Sequence, residues 1–263
     1  MGKLSDIGRI FYGIAIAGMG FPTIIYKAFP YMLLPPLNFL NSVPTVITNI
    51  SGILLILVGA FIAFGKKTRP VSFVFGWVLL LIFCFLYIPY EFMDKSRYMH
   101  LGEWENAVKE LALAGGAFVI AGYFSETGKN LSERFWKKLI PFGSILFAIP
   151  IISFGILHFL VTKEASTLVP SWIPGPIFWT IAGGVGLLGS GIAIILKVRP
   201  ELFAAMLGTM ILIWFVILHI PRVVVAASAD MGGEVISAFL ALAYSGIAFV
   251  IAGAAQKRGP ATL

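Results

Sequence analysis

Residues 71–90 read Val71-Ser72-Phe73-Val74-Phe75-Gly76-Trp77-Val78-Leu79-Leu80-Leu81-Ile82-Phe83-Cys84-Phe85-Leu86-Tyr87-Ile88-Pro89-Tyr90, without one charge. A helix rises about 1.5 Å per residue, so about 20 apolar residues cross a hydrocarbon core. The run is framed by Lys66-Lys67-Thr68-Arg69-Pro70 before it and Glu91 after it. A long apolar stretch between charged ends reads as a transmembrane helix.

Seven further runs have the same character, at roughly 7–28, 44–64, 106–124, 139–160, 176–196, 201–220 and 235–255. Across all 263 residues 59% are hydrophobic, only 12% are charged, and the mean hydropathy is +0.96. So few charges cannot cover a water-facing surface around a single core. A soluble globular enzyme, a disordered chain and a secreted disulfide scaffold are excluded. The expected fold is an all-α integral membrane protein with eight transmembrane helices in the lipid bilayer. The lone cysteine, Cys84, sits inside a span, so a dithiol relay is excluded.

The formal charge of +7 is distributed in short clusters between the apolar runs. Of the 19 basic residues, 13 fall on the side that holds both termini, including Lys66, Lys67, Lys137, Lys138, Lys197 and Arg199. The acids lean the other way, 4 against 8. Basic loops stay inside, which places both termini in the cytoplasm and the chain in the cell's inner (plasma) membrane. Loop clusters of this kind are not a nucleic-acid surface. On the opposite side, residues 29–43 and 165–176 are apolar, aromatic and rich in proline. Proline lacks an amide proton and restrains its neighbour, so both stretches read as interfacial or shallow re-entrant segments.

The chain also repeats itself. Lys67-Thr68-Arg69-Pro70 recurs as Lys197-Val198-Arg199-Pro200, an offset of 130. Tyr87-Ile88-Pro89 recurs as His219-Ile220-Pro221, an offset of 132. Phe118-Val119-Ile120-Ala121-Gly122 recurs as Phe249-Val250-Ile251-Ala252-Gly253, an offset of 131. Two four-helix units, 1–128 and 129–263, are expected. An even number of spans gives both one orientation, so they form a parallel repeat with a ligand site expected at the seam between bundles. The first apolar run has a partner in the second unit and is read as a retained helix, not a cleaved signal.

Within the second unit, Phe154-Gly155-Ile156-Leu157-His158-Phe159 is followed by Leu168-Val169-Pro170-Ser171-Trp172-Ile173-Pro174-Gly175-Pro176 and a small-residue run from Ile181 to Gly191. This order resembles the DoxX/DoxD-like membrane family, whose four-helix units carry a G-x-x-H-F signature in the first helix. The resemblance covers 139–255; over 7–124 it is looser, and Tyr26 stands where His158 stands in the second unit. It implies a tandem member of the family, and at most a membrane subunit of a quinone-linked oxidoreductase.

The candidate ligand-binding residues gather on the outer side: His158 and His219, their repeat partners Tyr26 and Tyr87, with Arg222 and Glu91 nearby in sequence. Polar groups at the hydrocarbon boundary are costly unless partnered, so such a cluster is a site candidate. A quinone or small apolar ligand could take hydrogen bonds from the histidines and tyrosines, with Arg222 stabilising negative charge on it. The bland reading is that these side chains anchor helix ends and that Glu91 is a solvated carboxylate. Two well-placed histidines are too few for zinc, and nothing in their spacing sets them as facing haem ligands, so no metal and no resident cofactor are expected. Gly184-Val185-Gly186-Leu187-Leu188-Gly189 matches G-x-G-x-x-G but lies inside a span, where glycines permit close helix contact and no strand precedes them. The loop 91–105, mixed in charge and aromatic, is a candidate docking surface for a partner subunit. Two other function classes stay open: a small-molecule transporter and a non-catalytic scaffold or assembly subunit.

Overall fold

The computed structural model describes residues 2–29, 33–95, 99–124, 131–228 and 231–258. Among these no strand occurs. The long helices are α1 (Lys3–Tyr26), α2 (Thr45–Ala63), α3 (Thr68–Phe92), α4 (Glu105–Tyr123), α5 (Leu131–Leu160), α6 (Pro176–Leu196), α7 (Pro200–Ala226) and α8 (Gly233–Arg258). Seven of them are long and apolar enough to cross a membrane, and the chain is a multi-pass membrane protein.

The exception is α4, which the sequence placed as a span at 106–124. The helix forms, but Glu105, Lys109 and Glu110 occupy its first two turns, and it is not among the seven. The reason is its place in the bundle. Every residue of α4 from Leu111 to Tyr123 is buried against protein, so it has little lipid to satisfy. Helix α8 is the other central rod, with 83% of its apolar stretch buried, against 17% for α7 and 22% for α2.

Packing follows a crossed pattern. Helix α1 lies along α2 and along α8; helix α5 lies along α6 and along α4. Helix α3 packs on α4, α7 packs on α8, and α4 meets α8 at the centre. Without a hydrophobic drive between helices in lipid, close backbone approach supplies much of the attraction. Gly8 and Gly246 face each other between α1 and α8, and Gly115 and Gly143 do the same between α4 and α5; a Cβ on any of the four would collide with the facing carbonyl.

Connections are set by local chemistry. Lys67 and Lys197, in the two Lys-x-Arg-Pro turns, both adopt left-handed backbone (φ 50° and 58°). Arg9 of α1 donates Nη1 to the carbonyls of Ile62 and Ala63, each at 2.6 Å, which satisfies the open end of α2. Two π-turns, Phe83–Tyr87 in α3 and Phe215–His219 in α7, each precede an Ile-Pro pair. Pro89 and Pro221 have no amide to return to the carbonyl four residues back. The ladder slips by one, and Ile88 and Ile220 donate instead to Phe83 and Phe215. This slip sets the direction in which Tyr87 and His219 leave their helices.

Candidate functional site

A cavity of about 450 Å³ opens among α5, α6, α7 and α8, with the first turn of α4 at its edge. It belongs to the second half of the chain, and the first half contributes only Glu105 and Lys109. The cavity thus lies mostly in the second half, with one turn of α4 reaching it from the first. Its volume lies in the ordinary range for small-molecule sites, about 300–1,000 Å³.

Ile151, Leu187, Ile211 and Leu240 form an apolar floor. Phe154 and Tyr244 stack against each other at 6.1 Å between ring centroids, and Trp179 and Trp214 add aromatic wall. Leu168 and Val169, from the proline-rich segment after α5, also line it. That segment lies against the cavity and is preceded by a short helical turn at Thr162–Ser166. The residues around Pro30, at 30–32, fall outside the described residues.

The polar wall contains three of the six residues singled out from sequence: His158, His219 and Arg222. Nδ1 of His158 lies 2.8 Å from the carbonyl oxygen of Phe154, one turn earlier on α5. A carbonyl only accepts, so Nδ1 carries the hydrogen, and in the neutral ring Nε2 is left as an acceptor. Gly183 of α6 leaves room for this ring; a Cβ there would stand 3.7 Å from its Cδ2. His219, at the end of the α7 π-turn, has a buried Nδ1 with no hydrogen-bond partner. Arg222 is joined at two points to Glu234 of α8, with Nε donating at 2.8 Å and Nη2 paired to the other carboxylate oxygen. Lys109 is held by Glu105 at 2.6 Å and by the Asn106 side chain at 3.1 Å.

The other three candidates are elsewhere. Tyr26 is partly exposed at the end of α1, its hydroxyl 3.5 Å from the Ala227 carbonyl in the α7–α8 connection. Tyr87 is completely buried and fills the position in α3 that His219 holds in α7. Glu91 is 1% exposed, which corrects the reading of a solvated carboxylate: it is in the last turn of α3, folded into the protein. None of the three lines the cavity. Of the loop 91–105, Phe92 stacks edge-on with Trp104 at 5.6 Å while Met93 and Met99 are exposed; Arg97 lies outside the described residues. His100 is exposed and apart from the cavity.

Sequence reading missed Glu105, Lys109, Glu234 and Tyr244. Glu105 and Lys109 had a signal, since acid and base four apart on a helix pair on one face. Glu234 had none, because its partner is twelve residues back across a helix connection. Glu110 was also passed over: it is 1% exposed, and its Oε2 has no hydrogen-bond partner. Tyr12 and Tyr244 donate to the Leu113 and Lys109 carbonyls on either side of it, at 2.8 and 3.4 Å. Among the described residues no cluster of three or more His, Cys, Asp or Glu is arranged to hold a metal ion. Gly184 of the G-x-G-x-x-G run packs on His158 and Phe159 in mid-helix, as a packing glycine should. No protein-family model, curated protein or solved structure matches this chain.

Proposed function

We propose that the protein binds a quinone-type small molecule in the α5–α8 cavity, as a membrane subunit of a redox system with both termini cytoplasmic in the inner membrane. The cavity carries this reading: it pairs an apolar, aromatic floor with His158, His219 and Arg222 on one wall. An aromatic ring with oxygen substituents and an apolar tail has that same division. His158 and His219 would hold the polar edge, and the floor would hold the ring and tail. A bound quinone supplies two-electron redox chemistry; the chain's own contribution is to orient it and to shield it from water.

The DoxX-like resemblance belongs to the same proposal. Two of the three marked residues of its G-x-x-H-F signature have a task here. Gly155 lets α5 approach the Gly184–Leu188 turn of α6, and His158 enters the cavity. The proposal also takes the chain as two parallel four-helix units. Its support is the matched packing of α1–α2 with α5–α6 and of α3–α4 with α7–α8, together with the paired π-turns and left-handed lysines. The units then interlock, each first helix resting on the other unit's fourth helix.

The test is a titration of purified protein in detergent with decylubiquinone, read by the emission of Trp179 and Trp214. Saturable quenching that is lost in a His158→Ala, His219→Ala double variant of normal accumulation supports the proposal. Absence of saturable quenching in the unmodified protein overturns it.

A further inference from the structure

The cavity wall offers donors in the Trp179 and Trp214 indoles and Arg222 Nη1, and beside them one ring acceptor whose role is fixed, Nε2 of His158. Its two cations are already occupied, Arg222 through Nε and Nη2 by Glu234 and Lys109 by Glu105 and Asn106, leaving Arg222 Nη1 over. Its hydroxyls are also committed: Tyr244 donates to the Lys109 carbonyl at 3.4 Å and Thr180 to the Pro176 carbonyl at 3.0 Å. His158 spends its one neutral-state hydrogen on Phe154 and keeps Nε2 as an acceptor on the side of Gly183, another residue of the cavity lining. His219 keeps a buried, unpartnered Nδ1, which donates or accepts according to which ring nitrogen holds the hydrogen. An acceptor removed from water without a donor costs free energy, and a ligand that brings a donor recovers it.

We propose that the cavity selects a ligand that donates a hydroxyl at its polar end, an aromatic diol of the hydroquinone class and not the oxidised dione, with His158 Nε2 as the receiving atom. This rests on the reading of the cavity as a quinone-type site and adds which redox form it prefers. A dione has only carbonyl acceptors, so against Nε2 it would set acceptor to acceptor. The aromatic walls fit either form equally, because the ring is the same size; the selection therefore falls to the histidine. Its geometry is fixed by the helix, since Phe154 is one turn away on the same face, and by Gly183, which gives the ring its space.

The experiment measures retention of decylubiquinol and of decylubiquinone by the full-length protein in phosphatidylcholine nanodiscs, anaerobically and in mildly alkaline buffer, against empty nanodiscs. One hydrogen bond is worth about 1 kcal/mol, so the diol should be held about fivefold more tightly than the dione. His158→Phe should remove that preference, so that the two forms are retained alike. Equal retention of both forms, or preference for the dione, overturns this inference and leaves the cavity reading standing; retention of neither overturns both. An independent measurement covers a His158→Phe protein that does not accumulate. In ring-¹⁵N-labelled protein the His158 resonances should report hydrogen on Nδ1, and hydrogen on Nε2 alone overturns the inference.

Discussion

The Nδ1 atom of His158 and the carbonyl oxygen of Phe154 are 2.8 Å apart on one face of α5, and this contact decides which nitrogen of the imidazole carries the hydrogen. Helix α6 passes the same side chain, with Gly184 close to His158 Cβ and Gly183 leaving space beside the ring.

Gly183 offers a graded test of that arrangement. A Cβ would stand 3.7 Å from His158 Cδ2, an ordinary contact, so Gly183→Ala should fold normally and retain decylubiquinol. Gly183→Leu should also accumulate but fill the space beside the imidazole, with retention reduced at least tenfold. Unaltered retention in the leucine variant would show that the ligand does not lie against His158.

Within the glycine run of α6, position should decide tolerance. A Cβ on Gly184 would come within 2.9 Å of His158 Cβ and 3.2 Å of the Gly155 carbonyl, whereas Gly189 has nothing within 4 Å. Gly184→Leu should therefore lose about 1–3 kcal/mol or fail to accumulate. Gly189→Leu should be neutral or slightly stabilising, because glycine in a helix costs about 1 kcal/mol relative to alanine. Thermal unfolding in detergent separates the two.

The Arg222–Glu234 pair ties α7 to α8 at the rim of the cavity. The Arg222 side chain is 38% exposed and Glu234 20%, so solvent screens the attraction. A double-mutant cycle with Arg222→Met and Glu234→Gln should return a coupling of about 1 kcal/mol or less in stability. Salt should weaken it further. A coupling several times larger would mean the pair is shielded in the assembled membrane protein.

Arg9→Gln should expose the end of α2. Two charge-assisted hydrogen bonds to the Ile62 and Ala63 carbonyls would be lost from a side chain only 12% exposed, at a cost of about 2 kcal/mol. Proteolytic cleavage between α2 and α3 should become faster while cleavage near α8 does not.

Much of the fold could be read from sequence because the membrane imposes a length and a polarity on each helix. The run 71–90 had to be a span, and the structure has α3 there. Helix α4 is instructive: it forms at the expected place but is not among the seven apolar enough to cross. Apolarity reports contact with lipid, and α4 is enclosed by α3, α5 and α8, so it carries Lys109 and Glu110 among protein neighbours that the apolar pattern does not reveal. The candidate site divided for a similar reason. His219 and Tyr87 occupy matched positions on matched π-turns, yet one lines a void and the other fills its surroundings completely. Chemistry at one residue was legible; the room around it was not.

The sequence by itself determined the membrane setting, the run and order of the helices, the proline-driven breaks before Pro89 and Pro221, and the presence of polar groups at one end of the bundle. These follow from local composition and from the missing amide of proline, which act whatever the neighbours are. Tertiary structure alone decided that α1 rests on α8 and α5 on α4, that the cavity lies within the second half, and that Glu234 and Lys109 join the histidines there. Such pairings depend on which backbones can approach across tens of residues, and facing glycines allow that approach only when both helices supply one.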